Sequence, residues 1–177
     1  MKIVIINGRP GVGKDAFVKA CQNHYHWCLN ISTVDFVKEV ARICGWNGEK
    51  TPKNRAFLSD LKFLLTEWED VPYRKVAHEI DLFKSQMKNY DFNPEENGIV
   101  FIHCREPQEI ARFCDEMGAV TLLIRRPAIE YNETSNAADA NVFDFNYDYT
   151  IVNEGTLVDL DNTAIDFLQQ MGITNLK

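Results

Sequence analysis

The sequence has no long apolar run. No stretch approaches the roughly 20 residues that a membrane-spanning helix requires, and the opening run Ile3-Val4-Ile5-Ile6 stops at Asn7-Gly8, too short for the core of a secretory leader. It has no CxxC pair: Cys21, Cys28, Cys44, Cys104 and Cys114 are scattered, which excludes a disulfide scaffold and fits a reduced, cytoplasmic setting. It has no surplus of basic charge. Acidic residues number 26 against 19 Lys and Arg, for a net charge of −7, so neither a nucleic-acid backbone nor an anionic membrane is an expected partner. An anionic small molecule would have to be met by basic groups gathered locally. There is no internal repeat and no low-complexity tract, and 45% apolar with 25% charged residues argues against disorder, collagen or coiled coil.

What is present is one domain's worth of chain. The 177 residues suffice to bury roughly 70% of the unfolded surface. Lys2 to Asn7 reads as a strand buried on both faces. A helix over about 14–25 follows, with Phe17, Ala20 and Cys21 on one face. Trp27 to Ile31 reads as a second strand. Ser32 or Thr33 can cap a helix in which Val37, Val40, Ala41 and Cys44 recur, and Gly45 ends it. Two more helices are expected, one with Phe57, Leu61, Leu64 and Trp68 sharing a face, the next with Val76, Ile80, Phe83 and Met87. Strands are expected over 99–104, 119–124 and 148–152. A helix opened by Glu106-Pro107 and closed by Gly118 separates the first two, and a last helix runs from about Leu157 to Met171. Apolar strands alternating with helices imply a parallel α/β sheet. Residues 46–97 read as a helical insertion, and the long aperiodic connection 127–146 as a lid.

The strongest motif is Gly8-Arg9-Pro10-Gly11-Val12-Gly13-Lys14-Asp15. It matches the G-x-x-x-x-G-K-[ST] phosphate loop at every position but the last, and it leaves a buried strand to enter a helix, as the mechanism requires. The glycines let successive N–H groups turn inward, the helix adds the positive end of its dipole, and Lys14 supplies a compact charge on a flexible stem. Asp15 stands where Ser or Thr ordinarily meets Mg²⁺. It can serve as a carboxylate ligand, or merely as a first-turn acid favoured by the helix dipole.

A phosphate loop ending Gly-Lys-Asp resembles those of viral deoxynucleoside monophosphate kinases and animal-type phosphomevalonate kinases. Other landmarks follow in the same order. Ser32 and Lys38 match a Ser after strand two and a Lys early in the next helix. His103-Cys104-Arg105 falls where those families have Asp-Thr-Arg, Gly118-Ala119-Val120 matches their next strand start, and Asn153-Glu154-Gly155 matches their Asn-x-Gly turn. The resemblance covers nearly the whole chain, although each landmark outside the phosphate loop is short. It implies a P-loop NTPase three-layer fold with a five-stranded parallel sheet. It also implies ATP and Mg²⁺ as cosubstrates and phosphoryl transfer to a small phosphorylated acceptor, a nucleoside monophosphate or a phosphomevalonate-type molecule. Asn153 and Gly155 would then lie near the donor base, and Ser32 and Lys38 near the acceptor. His103 is the main departure: the Asp it replaces would help hold Mg²⁺ or polarise the acceptor, and Asp35 and Glu106 are the carboxylates that could substitute. The same departure leaves open a catalytically weak nucleotide-binding module.

Further cations are candidates because phosphoryl transfer runs on positioning and charge neutralisation. Arg105 follows the third strand, at the edge where open α/β sheets bind ligands, although Glu106 or Glu109 could pair with it. Of Arg125 and Arg126, Arg126 is favoured to clamp the transferring phosphate, since Arg125 can still belong to the strand. Lys38 and Arg42 share a helix face and, with Arg55, are candidates for the acceptor's phosphate, or ordinary surface charge. Asp35 can contact an acceptor hydroxyl or Mg²⁺, or simply begin a helix. Cys21, His24, His26 and Cys28 fit no zinc spacing. The alternating Phe143, Phe145, Tyr147 and Tyr149 are expected to pack the core as one face of a strand.

Overall fold

The computed structural model describes residues 1–130 and 141–176. Among these, five strands form one sheet in the order β2-β3-β1-β4-β5: β1 (Lys2–Asn7), β2 (Cys28–Ser32), β3 (Ile99–His103), β4 (Val120–Arg125) and β5 (Tyr149–Val152). The sheet is parallel, with β1 pairing β3 on one side and β4 on the other, and β4 pairing β5. β1 is central because both its faces are covered: Val4, Ile5 and Ile6 are at most 1% exposed, as a strand in a doubly covered parallel sheet must be. The expected α/β class and strand count therefore hold, with strand ends shifted by a residue or two.

The helices in chain order are α1 (Lys14–His24), α2 (Asp35–Ile43), α3 (Pro52–Glu69), α4 (Val71–Asn89), the one-turn α5 (Pro94–Asn97), α6 (Pro107–Met117), the one-turn α7 (Pro127–Glu130) and α8 (Leu157–Gln170). The chain divides into two compact units, residues 1–30 with 87–177, and residues 31–86. The first unit holds the sheet. Its centre is an aromatic cluster in which Phe17 of α1 meets Phe101 of β3 at 6.1 Å and Phe167 of α8 at 5.6 Å, and Tyr149 of β5 meets Phe167 edge-on. Local signals set the helix ends. Thr156 and Asp159 form a capping box that opens α8, and Gly118 closes α6 at φ 62°.

The connection from β1 runs through α1 to β2 on one side, and that from β3 runs through α6 to β4 on the other. The carboxyl ends of β1 and β3 therefore flank a topological switch point, where open α/β sheets hold ligands.

The second unit comprises α2, α3 and most of α4. Val37, Ala41, Val76, Ile80 and Phe83 are buried, as their periodicity predicts. Three expectations fail. Cys44 is exposed, because α2 ends at Ile43 and leaves it beyond the buried stripe. The stripe Phe57, Leu61, Leu64 and Trp68 is not the packed face of α3: Trp68 is 77% and Leu64 62% exposed. The half-buried positions are Asn54, Leu58, Leu61, Lys62 and Leu65, and apart from Lys62 they form a neighbouring stripe with the same spacing. Finally, the alternating aromatics form no strand face. Phe143 belongs to a 3-10 turn (Asn141–Phe143) and is exposed, and only Tyr149 is in a strand. Of the connection expected as a lid, residues 131–140 lie outside the described residues.

Candidate functional site

The loop Gly8–Gly13 joins β1 to α1 at the switch point, and its glycines are there for stated reasons. Gly8 has φ 146°, and a Cβ there would lie 2.3 Å from the Ile124 carbonyl oxygen of β4. Gly13 has φ 103°, and a Cβ would lie 2.5 Å from Asn153 Nδ2. Both positions need a positive φ and a bare α-carbon. Gly13 is also the N-cap of α1 and offers no side-chain cap, so the first-turn N–H groups remain available to an anion. Lys14 curls back over the loop and donates to the carbonyls of Gly8 (2.5 Å) and Arg9 (2.9 Å). The ammonium is thus held at the loop itself. Among the other loop residues, Val12 is buried, Arg9 half-buried, and Pro10 and Gly11 exposed.

Two buried polar side chains hold this loop from beneath. Asn7, fully buried at the end of β1, accepts from the Gly8 N–H (2.8 Å) and donates to the Tyr147 hydroxyl (2.8 Å). The Tyr147 hydroxyl donates in turn to the Val142 carbonyl at 2.8 Å, and burial pushes its phenol up to about 12. Asn153 donates to the Val12 carbonyl at 2.8 Å, while its N–H bonds to the Arg125 carbonyl. Its side chain is therefore engaged with the loop backbone, a supporting place rather than a free ligand edge. Gly155 follows in the same turn, where a Cβ would meet the Asp159 carboxylate at 2.5 Å.

At the mouth, the Asp15 side chain is 95% exposed and lies 3.8 Å from His103 Nε2. That nitrogen is also 2.9 Å from Asn30 Oδ1. An amide oxygen only accepts, so Nε2 carries the hydrogen and donates it to Asn30, while the Asp15 carboxylate at 3.8 Å is beyond hydrogen-bond reach. His103 thus stands at the end of β3, tied to Asn30 and beside Asp15. Arg105 is half-buried two residues beyond β3, and Arg126 is exposed just after β4. Arg125 ends β4, and its guanidinium lies 5.5 Å from the Phe143 ring centroid, which Arg9 approaches at 5.2 Å.

The remaining sequence-predicted residues lie in the second unit, including Ser32 at the end of β2. Ser32, Asp35 and Lys38 are brought together: the Asp35 carboxylate accepts from the Ser32 N–H at 2.8 Å and from Lys38 Nζ at 3.2 Å. Arg42 lies over the Trp46 ring at 5.6 Å, and Arg55 donates to the Lys50 carbonyl at 3.2 Å. Those two are not joined to the Ser32–Asp35–Lys38 set by any of these bonds. Sequence reasoning missed Asn7, Asn30, Phe143 and the supporting roles of Tyr147 and Asn153. A signal existed for Asn7 alone, a polar residue closing an otherwise apolar central strand.

The residues present suit a magnesium–nucleotide polyphosphate. The loop offers bare α-carbons, first-turn amides and an ammonium, and Asp15 offers one hard, solvent-facing carboxylate of the kind that holds Mg²⁺ together with water.

No protein-family model matches the chain, and no curated protein matches it. Among solved structures, the tunicamycin resistance protein of Deinococcus radiodurans is similar at a TM-score of 0.50 and 13% identity, over 99% of this chain and 97% of that one. A dephospho-CoA kinase from Campylobacter jejuni reaches 0.49 at 15% identity, over 96% and 97% of the two chains. A sugar kinase from Janibacter sp. HTCC2649 reaches 0.48 at 13%, over 99% and 96%. The likeness is one of fold, and the fold is the α/β, phosphate-loop arrangement expected from the sequence.

Proposed function

We propose that the protein is an ATP-dependent phosphotransferase acting on a small phosphorylated acceptor, with a nucleoside or deoxynucleoside monophosphate as the first candidate and a phosphomevalonate-type molecule as the second. The observation that carries the reading is the loop itself: Lys14 lies over a glycine cradle that opens a helix at the carboxyl edge of the sheet. In the reaction, an oxygen of the acceptor's phosphate bonds to the γ-phosphorus as the bond to the bridging oxygen breaks, and the electron pair leaves with ADP. The loop from Gly8 to Asp15 holds the donor phosphates, and Lys14 neutralises charge on the transferred group. Arg105 and Arg126 are assigned to the same charge in the transition state. Ser32, Asp35, Lys38, Arg42 and Arg55 are assigned to the acceptor, with Lys38 first because it is both a family landmark and bonded to Asp35. Magnesium, held by Asp15 and water, supplies further charge neutralisation when bound. His103 lies 3.8 Å from Asp15, at the place where the families that the phosphate loop resembles carry Asp.

His103 also favours a second reading, a nucleotide-binding module with weak turnover. One experiment separates the two. The protein is incubated with ATP, Mg²⁺ and a panel of nucleoside monophosphates and phosphomevalonate, and ADP is measured. Acceptor-dependent ADP supports the kinase; nucleotide binding with no turnover across the panel supports the module. The kinase is expected to work in the cytoplasm on soluble substrates; among the described residues no helix is long and apolar enough to cross a membrane.

A further inference from the structure

We propose that α3 is a self-association surface, on which a second copy of this chain packs antiparallel about a two-fold axis. α3 is an 18-residue helix with no buried residue. One stripe of it carries Phe57, Leu64 and Trp68, 36%, 62% and 77% exposed, and Phe63, 63% exposed, stands about 100° further round the helix. A run of large apolar side chains on one helix is more than the scattered exposure of ordinary surfaces. The charges on the helix identify the occupant. Its first turn holds Lys53 and Arg55 and no acid, and its last turn holds Glu67 and Glu69 and no base. That is the reverse of what the helix dipole favours; Glu69 is met within the chain by Arg74 at 3.1 Å, which leaves Lys53 and Glu67 as the charges for a second copy to meet. Opposite a second α3 running the other way, each basic end meets an acidic end, and the two dipoles also oppose favourably.

A two-fold axis between Asp60 and Leu61 gives the register. Phe57 then faces Leu64 of the second copy, and Lys53 lies alongside its Trp68 and Glu67, where both a cation–π contact and an ion pair are available. The apolar stripe Phe57, Leu64, Trp68 forms the seam, and self-complementarity of one patch is what a two-fold interface requires. Asp60 faces Leu61 of the second copy across the axis, with the second Asp60 close by, a cost the seam must outweigh. A helix of this length spans about 27 Å, and a strip about 10 Å wide covers only a few hundred Å² per copy. This is well under the roughly 800 Å² per partner of stable interfaces, so the dimer is expected to be reversible, with a dissociation constant on the order of micromolar.

Sedimentation velocity on the full chain tests this, from about 1 to about 200 µM. The wild type should move from the 20.4 kDa monomer toward twice that mass. Lys53→Glu alone and Glu67→Lys alone should each weaken association by about tenfold, since each turns both ion pairs of the dimer repulsive. An equimolar mixture of the two variants should regain it, because the mixed pair restores opposite charges at both ends. Circular dichroism of each variant checks that the helix is intact. A wild type monomeric throughout, association indifferent to either reversal, or a mixture no stronger than its parts would each overturn the proposal.

Discussion

Replacing Tyr147 by Phe removes one oxygen from the relay that carries the phosphate loop. In the wild type that hydroxyl accepts from Asn7 Nδ2 and donates to the Val142 carbonyl, both at 2.8 Å. Asn7 is fully buried, so its amide cannot turn to water when the acceptor is lost. An unsatisfied buried donor costs about 1–3 kcal/mol, and the ring itself stays in place, so no cavity term is added. The expected loss is about 2 kcal/mol, seen in urea denaturation as a lower midpoint with an unchanged slope. In a chain of this size it corresponds to a fall in Tm of about 5 °C. Because the other side of Asn7 holds the Gly8 N–H, ATP should also bind more weakly. A double-mutant cycle with Asn7→Ala should show coupling on the order of 1 kcal/mol. A Tyr147→Phe variant within about 1 °C of wild type, or strict additivity with Asn7→Ala, would refute the relay.

Three further outcomes follow from the same geometry. Gly13→Ala should destabilise by about 1–3 kcal/mol through positive-φ strain and the clash with Asn153, and by more than Gly118→Ala, whose φ is also positive but whose Cβ would meet open space; equal losses in chemical denaturation would remove the clash from the account. Asn153→Ala should cost about 1–2 kcal/mol and weaken ATP binding by freeing the Val12 carbonyl, checked by calorimetry; unaltered binding would show that the loop needs no such support. Stability should fall at alkaline pH, because burial raises the Cys28 thiol from 9.0 to about 12 and also raises the Cys21 thiol. The unfolded thiols ionise first, so the folded state holds more protons and loses ground from about pH 9 upward. A midpoint flat from pH 8 to pH 11 in the wild type would contradict the burial of those thiols.

The parts of the fold that were legible are those written in contiguous residues. The phosphate loop reads directly because its glycines and Lys14 are adjacent, and β1 and β3 read directly because both are unbroken apolar runs. The packed side of α3 is not legible because the helix carries two stripes with helical spacing, Phe57-Leu61-Leu64-Trp68 and Asn54-Leu58-Leu61-Leu65. Periodicity cannot choose between them, and the bulkier stripe is the one left outside. The aromatics Phe143, Phe145 and Tyr147 alternate without forming a strand, since a period of two arises in irregular backbone as well. The supports of the loop were hidden for a different reason. Tyr147 is 140 residues from Asn7, and Asn153 is 141 from Val12. No local pattern announces such pairings, and only the sheet order that sets β4 beside β1 and β5 beside β4 brings them together.

The claim on which the functional reading rests is that the bend between β1 and α1 grips nucleotide phosphates through Lys14. Calorimetric titration of the wild type and of Lys14→Ala with ATP and Mg²⁺ measures it most directly. Saturable binding by the wild type, weakened at least about tenfold in a variant that remains folded, is the predicted result. No binding by the wild type at excess nucleotide, or equal affinity in the two proteins, would contradict it.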